Sequence, residues 1–230
     1  MSKVIPKIDS KLRHIVKVPE SIYNASGIVI NGKRIKSLVF STDVAIISNC
    51  NADAIIAVYP FTPTMQITKA IIDVSSRPVF VGVGGGTTSG ERVKAIALDA
   101  ELHGAMAVVL NAPTKTSFVR ALSEIVDIPI VLTIVSENEP LEERMLHSGA
   151  SIINVSGGKN TVEIIKKLRE IDKNFPIIVT GGPSDETIQA VIDAGANAVT
   201  YTPPSNGEIF KEMMEKYRMQ CNLKEEERKQ

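Results

Sequence analysis

The joints of this chain repeat. Ahead of one set of apolar runs stand CNADAII, HGAMAVV, SGASIIN and AGANAVT, and three of the four carry Gly-Ala, at Gly104, Gly149 and Gly195. A glycine there suits the left-handed residue that ends a helix. Ahead of the intervening runs stands a proline, in Arg77-Pro78, Ile128-Pro129 and Phe175-Pro176. Proline drives the residue before it out of helical geometry and can open a strand. The pattern predicts βαβα units in series. Strands are expected at 38–40, 54–58, 79–83, 107–110, 130–134, 152–155, 177–180 and 198–201. Helices are expected over 43–50, 64–74, 89–103, 115–125, 139–147, 160–171, 184–193 and 206–219. Eight of each predict a TIM (β/α)8 barrel, an α/β fold. A doubly wound open sheet is the alternative. The regular joints favour closure, and right-handed crossovers permit it.

The chain has 230 residues, enough to bury one full core. Val, Ile, Ala and Gly are plentiful, Trp is absent and aromatics make up 4%, which suits strands buried on both faces. Residues 1–36 read as an extension to the barrel. A short helix is expected around Ser10–Val16, covering the barrel bottom. Gly27–Lys36, GIVINGKRIK, holds Asn31-Gly32 between apolar residues and predicts a hairpin, because a type I′ turn wants positive φ at both central positions. The barrel is expected over 37–219, and 220–230 reads as a charged tail, the frayed end of the last helix. Formal net charge is zero, from 26 basic and 26 acidic residues. That removes a global pull toward nucleic acid or anionic membrane, although Lys3, Lys7, Lys11, Arg13 and Lys17 make the start modestly basic. No apolar run approaches a membrane span or a signal peptide. Cys50 and Cys221 lack metal-ligand spacing. A cytoplasmic protein is expected.

In such a barrel the chemistry sits at the C-terminal ends of the strands. Three apolar runs end in glycine turns: VFVGVGGGTTS, IINVSGGKN and IIVTGGPS. Strand, glycine turn and helix N-terminus form an anion-binding geometry. Ser156, Gly157 and Gly158 after the sixth strand, and Thr180, Gly181 and Gly182 after the seventh, are the expected phosphate ligands. Ser184 and Ser205 are expected N-caps, and Ser205 with Glu208 forms a capping box. Ser205 is also a candidate phosphate ligand. Paired glycines are equally what tight βα turns require, and Asp185, Glu186 and Glu208 would already occupy part of the helix field. Gly85, Gly86 and Thr87 after the third strand, with Asn111 after the fourth, are expected to line the pocket. That glycine loop lacks the Gly-Lys-Ser/Thr ending of a Walker loop and the third glycine of a dinucleotide fingerprint.

Asp43, directly after the first strand, and Glu137, after the fifth, are the acid/base candidates. Their structural alternatives are a helix N-terminal acid and a solvated rim charge. Lys159 and Lys115 could meet an anion, and Lys159 stands with the two acids as a catalytic candidate. Tyr59 and Asn111 could orient a substrate, and Thr133 reads as an inward-facing polar residue or a packed core one. No lysine lies in the C-terminal half of a strand, which argues against a Schiff-base aldolase. His14, His103 and His147 all sit away from the expected strand tops. No protein metal site is expected, although Mg2+ bridging Asp43 and a substrate phosphate is compatible with the residues. No serine–histidine–acid arrangement is visible.

The run IINVSGG, with PIIVTGGPSDETIQAVIDAGANAV, resembles the phosphate-binding half of the ribulose-phosphate-binding type of barrel. That group includes phosphoribosyl-anthranilate and thiamine-phosphate enzymes, geranylgeranylglyceryl-phosphate synthase-like proteins and flavin-binding barrels like IMP dehydrogenase. The resemblance covers 150–205 well and the rest loosely. It implies a phosphorylated ligand whose phosphate meets Gly157, Gly158, Gly181 and Gly182. It implies no single reaction, because the fold hosts lyases, isomerases, synthases and oxidoreductases. The catalytic lysine of many aldolases and the loop cysteine of the IMP dehydrogenases have no counterpart here. The chain also resembles glycerol-phosphate-responsive antiterminator barrels, which bind a phosphate ligand for regulation. Two functions are therefore expected: an enzyme (lyase, isomerase or transferase) on a phosphorylated small metabolite, or a sensor of such a ligand on the same barrel. A homodimer is the expected assembly; nucleic-acid and membrane partners are not expected.

Overall fold

The computed structural model describes Pro6, Ile8, residues 15–182 and residues 184–227. A hairpin, β1 (Ile28–Ile30) and β2 (Lys33–Ile35), precedes eight parallel strands: β3 (Ser37–Phe40), β4 (Ala54–Ala57), β5 (Val79–Gly85), β6 (Ala107–Asn111), β7 (Ile130–Ile134), β8 (Ile152–Val155), β9 (Ile177–Thr180) and β10 (Ala198–Tyr201). The helices that follow them are α1 (Val44–Ser48), α2 (Met65–Val74), α3 (Glu91–Leu102), α4 (Thr116–Ser123), α5 (Leu141–Leu146), α6 (Thr161–Ile171), α7 (Asp185–Asp193) and α8 (Asn206–Glu227). The strands pair in sequence order, and β10 closes on β3. The fold is the TIM (β/α)8 barrel, not the open sheet.

Period-two alternation sorts each strand into two cores. Outward residues such as Val39, Ile55, Val81, Leu110 and Ile153 pack under the helices. Inward residues such as Leu38, Ala54, Phe80, Val109, Val131, Ile178 and Ala198 fill the barrel axis. The hairpin completes that inner core from below. Its Ile28, Ile30 and Ile35 belong to the same buried cluster. Asn31 and Gly32 turn the hairpin with φ of 48° and 79°, as the Asn-Gly pair requires. The expected joints also hold: Gly104, Gly149 and Gly195 all have positive φ just past helix ends.

On β5 the pairing with β6 shifts between Gly82 and Gly84. Gly85 (φ +92°) presses on the β6 backbone, and a Cβ there would lie 2.2 Å from the Asn111 carbonyl oxygen. The run of glycines thus lets β5 bend over the mouth.

One layer departs from the simple alternation. The eighth helix has only sparse contact with the barrel, and Phe210, Tyr217 and Met219 on it are exposed. The 3-10 turn Glu20–Asn24 instead packs beside α7, with Ile22 fully buried in the outer core. Side-chain bonds from Ser21 to Asp185 (2.6 Å) and from Asn24 to Gln189 (2.8 Å) tie that turn to α7. The short helix expected around Ser10–Val16 lies outside the described residues except for Ile15 and Val16, and Val16 bridges to Cys50. No described helix is long and apolar enough to cross a membrane.

Candidate functional site

The upper layer of the barrel interior is split in two. Phe40, Ile56 and Val58 line one side of a well of about 210 Å³ at the axis, with Val109 below. Asn111, Thr133, Asn154, Ser156, Thr180 and Thr200, from β6 to β10 and the turn after β8, line the other. Each polar residue falls on the inward register. Asn154 follows Ile152 by two, Thr180 follows Ile178 and Thr200 follows Ala198, all inner-core positions. No carboxylate, lysine, arginine or histidine is among the residues lining the well.

Two neighbouring cavities share walls with it. Toward β8 and β9 lies one of about 440 Å³, lined by Ser156, Gly158, Lys159, Thr161, Thr180, Gly181, Gly182 and Thr187, with Val162, Ala190 and Val191 behind. It meets the well through Ser156 and Thr180. On the opposite side lies one of about 410 Å³, where Tyr59, Pro60 and Phe61 face Gly85, Gly86, Thr87 and Asn111. It meets the well through Asn111. A larger cavity of about 510 Å³, between Gly85–Gly90 and Pro113–Phe118, shares no lining residue with the well.

The structure therefore brings together Ser156, Gly158, Lys159, Thr180, Gly181 and Gly182 at one cavity. Gly85, Gly86, Thr87 and Asn111 gather at another. Gly157 is not a lining residue; a Cβ there would meet Ile164 Cδ1 of α6, whose side chain would have to turn aside. Gly182 is packed as closely, against Thr187. Gly158 has a positive φ and open space where its Cβ would be.

The three helix N-termini at this side of the mouth differ. Ser184 caps α7 in a box with Thr187, and its hydroxyl draws the Glu186 carboxyl below the usual range. Ser205 donates its hydroxyl and its N–H to Glu208 at 2.7 and 2.8 Å and accepts the Glu208 N–H at 3.2 Å. Those bonds hold the Glu208 carboxyl down, and Ser205 is absent from the lining of the cavity between β8 and β9. Both termini thus carry their own anion. The third, α6, is entered through the 3-10 turn Gly158–Asn160, in which the N–H groups of Asn160 and Thr161 already bond the Gly157 and Gly158 carbonyls; no side chain caps either start, and Gly158, Lys159, Thr161 and Val162 line that cavity.

Asp43 is the N-cap of α1. Its Oδ1 accepts from the N–H of Ala45 at 2.8 Å and of Ile46 at 3.3 Å. Glu137 accepts from Lys167 of α6 at 2.7 Å and thereby raises the lysine above its ordinary value. Neither acid lines the well or its two adjoining cavities. The Tyr59 hydroxyl accepts the N–H of Thr64, the N-cap of α2, at 3.0 Å. Lys115 lines the cavity that stands apart. His103 and His147 cap helix ends, and His14 lies outside the described residues. No group of three or more metal-ligating side chains is placed to hold an ion among the described residues.

Three features of the mouth were not anticipated. Asn154 donates to Thr133 Oγ1 at 3.2 Å, which leaves its Oδ1 buried and without a partner among the described residues. Thr200 Oγ1 is in the same position. An unmet buried polar atom costs about 1–3 kcal/mol. The third feature is a buried strut. Arg144 of α5 donates to the carbonyls of Thr114 (2.8 Å) and Thr133 (3.3 Å). Its Nε sits 2.8 Å from Glu139 Oε2 as a charge contact off hydrogen-bond alignment. Glu139 in turn accepts the N–H groups of Val135 and Ser136. The strut fixes the loop tops of β6 and β7 beside the well. A period-two count along β8 and β10 was the available signal for Asn154 and Thr200. Nothing local marked Arg144.

No family model matches the chain, and no curated protein matches it in sequence. Solved structures do match. A mandelate oxidase bound to 3,3-difluoro-2-hydroxy-3-phenylpropionic acid aligns with a TM-score of 0.61 at 16% identity, over 87% of this chain and 72% of that one. A phosphonopyruvate hydrolase in complex with oxalate and Mg2+ aligns with a TM-score of 0.57 at 13% identity, over 89% and 86%. A dihydrodipicolinate synthase from Bacillus anthracis aligns with a TM-score of 0.57 at 17% identity, over 72% and 69%. What the chain shares with these TIM-barrel enzymes is the closed eight-stranded α/β barrel.

Proposed function

We propose that this barrel binds a small phosphorylated metabolite across its C-terminal mouth, with the phosphate in the cavity between β8 and β9. One observation carries the reading: a lysine, an uncapped helix N-terminus and an open glycine turn converge on one cavity that adjoins the axial well. Lys159 supplies the cation. The Gly158–Lys159 turn at the head of α6 supplies backbone N–H groups, and the helix behind it supplies the positive end of its dipole. Ser156, Thr180 and Thr187 supply hydroxyls. This keeps the phosphate-binding type of barrel as the family reading, including its ribulose-phosphate-binding branch. It moves the grip toward α6, because α7 and α8 neutralise their own termini.

The reaction we assign is of the lyase, isomerase or transferase class, with Lys159 as the proton-handling group beside the ligand. Asp43 and Glu137 serve the frame in this reading. The uncharged well favours a second reading, a sensor that holds the same ligand without turning it over. Titration of inorganic phosphate followed by 31P line broadening tests the shared part. Lys159→Met should weaken binding roughly 10- to 100-fold, the range for losing a charge-assisted bond. Unchanged binding would remove the cavity from consideration. Turnover of a phosphorylated ligand that Lys159→Met abolishes selects the enzyme; tight binding without turnover selects the sensor. A homodimer remains part of the proposal, with Phe210, Tyr217 and Met219 of α8 as the apolar side chains free to form it, and sedimentation velocity decides it.

A further inference from the structure

We infer that the axial well is a specificity subsite for an uncharged hydrogen-bonding group, a hydroxyl or an amide, carried by the ligand whose phosphate sits between β8 and β9. The inference rests on that phosphate reading for its anchor. Five buried side-chain polar atoms lack a partner among the described residues, and two of them, Asn154 Oδ1 and Thr200 Oγ1, belong to residues that line this one well. Asn154 is 8% exposed and Thr200 is 2% exposed, so both side chains are buried in the barrel interior around the well. Turning the Asn154 amide over would only exchange which of its atoms is unmet, since Thr133 bonds the other. The Thr200 hydroxyl can donate or accept. A ligand hydroxyl or amide, which also does both, completes such a pair.

The well also states what it refuses. Its wall from β6 to β10 is amide and hydroxyl, its opposite wall is Phe40, Ile56 and Val58, and no cation lines it. A carboxylate or a second phosphate placed there would lose its hydration with no counter-charge to replace it. A purely apolar group would leave Asn154 and Thr200 unmet, and sites with buried polar groups reject such analogues strongly. The volume, about 210 Å³, equals about seven water volumes, which suits a short chain of a few heavy atoms. Ser156 and Thr180, shared with the phosphate cavity, set the junction between the two groups.

The test compares three probes of similar length on the full chain: 3-hydroxypropyl phosphate, n-butyl phosphate and 3-phosphonooxypropanoate. Inorganic phosphate serves as the reference for the anchor. The hydroxyl probe should bind at least about tenfold tighter than the butyl probe, one good hydrogen bond's worth. The carboxylate probe should gain nothing over phosphate. Asn154→Leu and Thr200→Val should each erase the preference for the hydroxyl probe while leaving inorganic phosphate binding unchanged. Equal binding of hydroxyl and butyl probes to the wild type would overturn the inference, as would a preference that survives both substitutions. Lys159→Met separates the two readings. If it leaves every probe unaffected while Asn154→Leu still erases the preference, the phosphate placement is wrong and the well stands. If no phosphorylated probe binds, glycerol titrated against the Asn154 side-chain amide signal decides. A saturable shift that Thr200→Val removes supports the well, and no shift overturns it.

Discussion

Asp43 shows how a carboxylate at a strand top can be spent before any ligand arrives. Its oxygen already accepts two N–H groups of α1, so its first effect is on stability. Asp43→Asn should change unfolding free energy by only a few tenths of a kcal/mol, because asparagine caps nearly as well, whereas Asp43→Ala should cost about 1 kcal/mol. Urea unfolding measures both, and phosphate affinity should be unaffected in either. The same scale explains what the sequence could and could not disclose. Asn31-Gly32 was legible because positive φ is a property of the residues themselves. Asp43 as cap or as acid was an open choice, since the residue sits at a strand top and a helix start together. Asn154 was hidden inside an apolar strand, where Ile152 and Ile153 dominate the reading and only the alternation of faces singles it out.

Elements carry the next level of constraint. The strands were readable because glycine and proline mark their joints and both faces are apolar. The strut at the tops of β6 and β7 was not, because Arg144 and Glu139 look like ordinary helix and loop charges until α5 packs on the barrel. Arg144→Met should destabilise the fold by about 3 kcal/mol, since it strands a largely buried carboxylate. Adding Glu139→Gln should recover most of that loss. Paired urea unfolding curves measure the coupling, and a purely additive double variant would contradict the assignment. Helix termini follow the same logic. Glycine turns suggested anion sites after both the sixth and seventh strands; the caps at Ser184 and Ser205 and the Glu208 box were legible as well, and the part Thr187 plays in the α7 box was not, because it depends on a side-chain rotamer. The structure leaves α6 as the uncapped terminus of the three, and it is the one with a lysine at its entrance.

At the scale of the whole molecule, the barrel is sealed by its N-terminal extension as well as by its helices. The hairpin plugs the axis from below, and Ile22 packs in the outer core beside α7 while α8 stands largely off the barrel. The division was not legible in the sequence, because residues 20–24 are short and mostly polar while 206–219 has the length of a covering helix. Ile22→Ala should therefore cost about 2–5 kcal/mol, and deletion of the chain beyond residue 214 should cost less than about 1 kcal/mol. Thermal unfolding compares the two, and the reverse order would contradict this arrangement. With the base sealed and the upper interior half polar, we place the proposed ligand and its phosphate at the C-terminal mouth, where the well and the cavity between β8 and β9 share Ser156 and Thr180. A crystal structure with 3-hydroxypropyl phosphate bound tests that claim most directly. Phosphorus is expected at the head of α6 within hydrogen-bonding distance of Lys159, and the hydroxyl against Asn154 and Thr200. Phosphorus at α7, at α8 or beside Lys115, with the axial well holding only water, would contradict it.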